Sequence, residues 1–193
     1  MTRAKGKSRS KGSNGGKKDA IALLKADHRQ VEEWFEQFEK TNSADRKQDL
    51  ATKICDALTV HTTIEEEIFY PAFLEATDDK DLHHEAEIEH EAAKRLIAEI
   101  EASGPDDEYF GSKVKVLSEM IKHHVKEEEQ PGGMFAEARG SDLDLVALGE
   151  QLATRKAELE GGKAGSGEDD EGDESPKGGR GSKERTQVRA SKR

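Results

Sequence analysis

Cysteine is almost missing from this chain, and so is any long apolar run. The single thiol, Cys55, excludes an intrachain disulfide and a thiolate cluster of the structural-zinc kind, and reads most simply as a small buried apolar residue. No apolar stretch nears the length that crosses a bilayer, and the basic start is not followed by the apolar segment of a secretory signal. A soluble, cytoplasmic protein with no membrane partner is therefore expected. Hydrophobic residues make up only 32% of the chain against 38% charged, and the mean hydropathy is −0.93, too polar for one globule from end to end.

The ends account for the deficit. Residues 1–18 hold Arg3, Lys5, Lys7, Arg9, Lys11, Lys17 and Lys18 among Gly and Ser, with no acid. Residues 161–193 combine Gly and Ser with an acidic run from Glu168 to Glu174 and a basic one from Lys177 to Arg193. Neither end can bury enough apolar surface to offset its ordering entropy, so both are read as disordered tails. Residues 19–160 remain as one domain, with a bundle over 19–140 and an appended helix over 141–160. Of the formal charge of −11, the first tail supplies +7 and the last +1, which leaves the middle at −19. So acidic a body is a poor nucleic-acid surface, and any nucleic-acid partner would have to be met by the basic tails.

What the middle does have is helical periodicity. From Asp19 onward, Ile21, Leu24, His28, Val31, Phe35 and Phe38 recur in three- and four-residue steps that form one apolar seam. Ser43 is placed to cap a second helix with the seam Leu50, Ile54, Ala57, His61, Ile64 and Ile68, and Pro71 predicts a kink or restarted turn late in it. A third seam reads His83, Ala86, His90, Ala93, Ile97 and Ile100. Pro105 suits the first position of a fourth helix, whose seam reads Phe110, Val114, Leu117, Ile121, His124 and Glu128 before Pro131-Gly132-Gly133 ends it. A last amphipathic stretch, Leu143 to Leu159, is expected against the outside of the bundle, capped by Ser141 or Asp142. Short turns between long helices predict an all-α fold, an antiparallel up-down-up-down four-helix bundle with an additional short C-terminal helix.

Each of the four seams carries a histidine. The second and fourth add a glutamate four residues on, His61 with Glu65 and His124 with Glu128, a spacing that sets imidazole and carboxylate on one helix face. The two hairpins repeat this plan, with 33 residues from His28 to His61 and 34 from His90 to His124. Taken singly, a seam histidine is most simply a hydrogen-bonded core residue. Six polar groups together in one small core would be costly to bury unless something satisfied them, and a cation does. Mixed imidazole and carboxylate ligands suit iron, manganese or zinc more than calcium or magnesium. In a bundle core two inward carboxylates suit a metal pair, with Glu65 and Glu128 bridging and His28, His61, His90 and His124 as terminal ligands.

The run Asp27-His28, His61-x-x-x-Glu65-Glu66-Glu67-Ile68-Phe69-Tyr70-Pro71, Glu89-His90 and His123-His124-x-x-x-Glu128 resembles the hemerythrin-like HHE cation-binding domain over roughly residues 19–140. The resemblance implies a four-helix bundle with a non-haem di-iron centre, bridged by an oxo or hydroxo group besides the carboxylates. It also implies a role in binding or sensing O2, peroxide or nitric oxide, or in iron homeostasis. The chain departs from the oxygen-carrying pattern at Ala86, where a histidine would stand four residues before His90, and by having Glu128 where a later aspartate is usual. His83, Glu87, Glu66 or water are the candidates for the missing ligand. His84 and His123 are turned about 100° from the seam. Glu66, Glu67, Glu127 and Glu129 read as solvated or outer carboxylates, with Glu66 the best of them as an extra ligand, and Tyr70 and Trp34 as packing. A sensor, scavenger or iron buffer leads, ahead of a catalase-like di-iron enzyme and of a metal-free scaffold whose basic tails bind nucleic acid or an acidic partner.

Overall fold

Asp19 starts the first helix by accepting the Ala22 N–H on its Oδ1 at 2.7 Å, which satisfies one of the orphan donors of α1 (Ala20–Lys40). This computed structural model describes residues 19–164, so the first expected tail and residues 165–193 of the second lie outside them. Residues 161–164, expected in that tail, belong to the last helix.

Ser43 Oγ accepts the Arg46 N–H and caps α2 (Ala44–Ile64), as its position in sequence predicts. The helix then widens into a π-helical turn (Glu65–Phe69), in which the Tyr70 N–H reaches back five residues to the Glu65 carbonyl, before resuming as α3 (Tyr70–Thr77). Pro71 therefore does not kink a regular helix. It falls just past a register shift, where a missing N–H costs least. Asp78, at φ 55°, closes α3, and Asp79 caps α4 (Lys80–Glu101) through the Leu82 N–H.

Helix α5 (Phe110–Glu129) starts at Phe110 and not at Pro105. Asp107 Oδ1 takes the Tyr109 N–H at 2.7 Å, and the Phe110 N–H bonds the Asp107 carbonyl, so 104–109 is spent in turns that the aspartate sets up locally. A short α6 (Met134–Gly140), unanticipated in the sequence, precedes α7 (Leu145–Ala164). The cap of α7 is Asp144, whose Oδ1 accepts from Val146 and Ala147. Neither Ser141 nor Asp142, the expected caps, fills that place, and Ser141 instead donates to the Ala138 carbonyl and closes α6.

Around the bundle α1 packs on α2, α2 on α4, α4 on α5, and α5 back on α1. The short connections make these neighbours antiparallel, which is the expected up-down-up-down arrangement. Helix α7 lies across α1, α2 and the π turn and buries Leu148 and Leu152. No described helix is long and apolar enough to cross a membrane.

The core has two apolar layers. One joins Phe35, Phe38, Ile54, Leu58, Ile97 and Leu117, and the other joins Leu24, Ile64, Phe69, Phe73, Met134 and Leu152. His28, His61, His90, His124, Glu65 and Glu128 are all buried between them.

The end of α5 carries Glu128, and two glycines shape it. Gly132 adopts φ +82°, and a Cβ on Gly133 would run into the carbonyl oxygens of Glu127, Glu128 and Gln130. Gly133→Ala should destabilise the protein by about 1–3 kcal/mol by overpacking against backbone. It should also displace Glu128 and weaken metal uptake. Urea denaturation with a parallel metal titration checks both effects.

Candidate metal centre

The buried polar layer divides into two facing pairs. His28 Nε2 lies 3.1 Å from His61 Nε2, and His90 Nε2 lies 3.2 Å from His124 Nε2. Glu65 Oε2 sits between the pairs, 3.2 Å from His61 Nε2 and 3.5 Å from His90 Nε2. Glu128 spans them in the other direction, with Oε2 at 3.3 Å from His28 Nε2 and Oε1 at 3.7 Å from His124 Nε2. The six residues read as inward-facing in the sequence thus converge, and Glu65 belongs to two groups of three donors whose atoms lie within 4.8 Å of one another.

The proton arrangement shows why a cation fits here. His28 Nδ1 is 2.8 Å from Glu129, His90 Nδ1 is 2.9 Å from Glu66, and His124 Nδ1 is 2.7 Å from Glu89. An Nδ1–H donated outward to a carboxylate leaves Nε2 with a lone pair aimed inward. Between His90 and His124, both fixed in this way, two lone pairs at 3.2 Å repel each other, yet two nitrogens bound at ~2.1 Å to one ion are separated by about this much. Both oxygens of Glu65 and Oε2 of Glu128 are buried and accept no hydrogen bond. Unsatisfied acceptors in two clusters are what a pair of cations would satisfy.

Among the lesser candidates, Glu66 does not point at the centre. It receives His90 Nδ1 on one oxygen and Lys94 Nζ, at 2.6 Å, on the other. His83 and Glu87 lie 3.5 Å from each other and, with His84, form a separate group, in which the His83 ring packs edge-on against Tyr70 at 5.9 Å while His84 and Glu87 are exposed. The place expected for a fifth ligand near His90 is taken instead by Tyr70, whose hydroxyl is 3.1 Å from His90 Nε2 and donates to Glu128 Oε1 at 3.3 Å. Its reading as packing alone is corrected. In a regular helix Tyr70 would be turned far from Glu65, at about 100° per residue, but the π turn brings both inward.

Asp27 and Glu89 were quoted only as neighbours of His28 and His90, and their task was missed. Each serves the histidine of its own hairpin's second helix, Glu89 at His124 and Asp27 facing His61. Glu66 and Glu129, one residue past Glu65 and Glu128, each serve the first histidine of the other hairpin. The signal was present in the sequence as acids at the same offsets in both halves.

Burial and repulsion from Glu128 push the Glu65 carboxyl well above its ordinary range. Glu128, equally buried, is held down to about 2 because His124 and His28 outweigh the desolvation. In the metal-free protein burial therefore favours the neutral form of Glu65 beside an ionised Glu128. Burial lowers His61 to about 4 and keeps it neutral. Burial also raises the Tyr70 phenol, with Glu65 and Glu128 adding to it, so Tyr70 stays a donor.

Above the ordinary glutamate value of 4.5 the unfolded chain loses the Glu65 proton while the folded metal-free protein keeps it. The folded state then binds more protons, and this contribution to stability falls as pH rises. Glu65→Gln should therefore stabilise the metal-free protein relative to wild type, by an amount that grows from pH 5 to pH 8, while abolishing paired metal uptake. Urea denaturation in chelator across that range is the check, and a pH-independent difference between the two proteins would contradict it.

The family model of the hemerythrin HHE cation binding domain matches residues 19–131. A DNA nickase from Nostoc sp. is 29% identical over 122 residues, which cover 62% of this chain but only 33% of that protein, so the chain spans about one third of its relative's length. Among solved structures, a hemerythrin HHE cation binding domain-containing protein from Mycobacterium kansasii superimposes with a TM-score of 0.63 at 22% identity, over 76% of this chain and 90% of the other, a likeness of fold.

Proposed function

The chain belongs to the hemerythrin HHE cation binding domain family, and from that membership we propose that its bundle holds two iron ions and uses them to bind or sense O2, peroxide or nitric oxide, or to buffer iron. The observation that carries this reading is Glu65, buried with both oxygens unpartnered between two histidine pairs of ligand spacing. His28 and His61 would hold one ion, His90 and His124 the other, with Glu65 and Glu128 spanning both. Manganese or zinc would fit the same donors and is the lesser choice. When bound, a ferrous pair supplies the electrons and open positions that O2, peroxide or NO require.

The residues around the centre select the ligand. A cavity of only about 10 Å3 lies against the imidazoles, walled by Val31, Leu58, Ile121 and Val125. A space of that size admits about one small molecule, and its apolar walls favour a neutral diatomic over water. On the other side Tyr70, kept protonated, donates to Glu128 and lies 3.1 Å from His90 Nε2.

Anaerobic loading with ferrous iron should give about two irons per chain, with thermal stability rising on loading. A single ion per chain, or equal loading of a Glu65→Ala variant, would overturn the paired centre. Tyr70→Phe should keep both irons but bind nitric oxide about tenfold or more differently, because one hydrogen bond to a charged group is lost. Optical titration of the loaded variant measures it.

A second reading comes from the Nostoc relative, described as a DNA nickase, together with the basic residues at both ends of this chain. Metal-dependent nicking of supercoiled plasmid that vanishes in His61→Ala would favour it. The acidity of residues 19–160 weighs against it.

A further inference from the structure

Three of the four imidazoles are fixed by a close outer carboxylate, and His61 is not. Asp27 Oδ2 lies 3.7 Å from His61 Nδ1, beyond a hydrogen bond, and both atoms are buried with no other partner. The cause is visible on the far side of Asp27. Lys156 Nζ of α7 takes Asp27 Oδ1 at 2.5 Å and draws the carboxylate towards the appended helix. The matching acid of the other half, Glu89, meets no such pull among the described residues: its neighbour His123 is exposed and 3.4 Å away, and Glu89 closes on His124 at 2.7 Å.

We propose that Lys156 acts as a positioning residue that holds Asp27 back from His61 and so makes the His28–His61 subsite the looser of the two, with α7 as the element that sets the difference. The inference rests on the paired-metal reading. An outer carboxylate fixes the tautomer and orientation of a ligating imidazole and raises its basicity, and losing one commonly costs 10–100-fold in metal affinity. His61 keeps its carboxylate within reach but unengaged, so its ion is held more weakly and exchanges first. Helix α7 is suited to control this. Arg155, the residue before Lys156, clasps Glu67 of the π turn at 2.7 and 3.1 Å, and Leu148 and Leu152 seat the helix in the core. One helix thus touches both the carboxylate behind His61 and the turn that presents Glu65. Displacing α7 would free Asp27 to close on His61.

The test is stepwise anaerobic titration of the full chain with ferrous iron, followed by calorimetry, with cobalt(II) as a second, spectroscopic probe. Wild type should take up two ions in two separated steps. Lys156→Met should tighten the weaker step at least tenfold and leave the stronger one in place, while Lys156→Arg should restore the wild-type order. Asp27→Asn should change the weaker step by less than about threefold, because the carboxylate it removes is not engaged with His61 in wild type. In the Asp27→Asn background Lys156→Met should have no further effect. With cobalt(II), one imidazole N–H signal should be exchange-broadened in wild type and sharpen in Lys156→Met.

A weaker step unchanged or loosened in Lys156→Met would overturn the proposal. So would an equal tightening in the Asp27→Asn background, which would mean a general loss of positive charge. Uptake of one ion or none by wild type would instead overturn the paired centre, so the two failures read differently.

Discussion

The structure depends on burying four imidazoles and two carboxylates in one layer between two apolar ones. Polar groups taken out of water without partners are costly, and an unpaired buried carboxylate most of all. The chain limits the cost in two ways. Carboxylates behind the rings take the outward Nδ1 protons, and burial favours the neutral form of Glu65 beside Glu128. What these measures leave unsatisfied is concentrated on the inward lone pairs and oxygens. A fold that places its deficit where a cation would sit is one whose stability is linked to that cation.

The helical hairpins were legible because the same periodicity that buries Leu24 and Val31 also buries His28 between them. His61, His90 and His124 lie on their seams for the same reason, and with Glu65 and Glu128 the whole inward set could be named from spacing alone. The family membership that follows from the motifs agrees with that reading. The helix ends were less legible where an aspartate builds its own turn. Asp107 and Asp144 each decide a boundary through hydrogen bonds over two or three residues, and seam counting does not see them.

The outer carboxylates were only half legible, for a different reason. Glu66 and Glu129 were expected among the outer or solvated acids, but Asp27 and Glu89 stand in a chain so rich in acids that neither draws notice, and the histidine that each of the four faces lies on another helix. Only the doubling of the hairpins gives them away, because the offsets recur. The doubling is also where the two halves part. Among the described residues no lysine stands to Glu89 as Lys156 stands to Asp27, and Lys156 comes from α7, which lies outside the duplicated plan.

Tyr70 shows how one residue of extra helix changes the chemistry. A regular turn after Glu65 would send its hydroxyl away from the centre, where it could only pack. With the π turn, Glu65 and Tyr70 face the same layer, and the phenol meets His90 Nε2 and Glu128 where a fifth histidine is absent. A histidine there would offer a lone pair and so another ligand. Tyr70, held protonated by burial and two nearby carboxylates, offers a proton instead. If the paired centre forms as proposed, that exchange of a ligand for a donor would leave a position for a small molecule, with a hydrogen bond beside it.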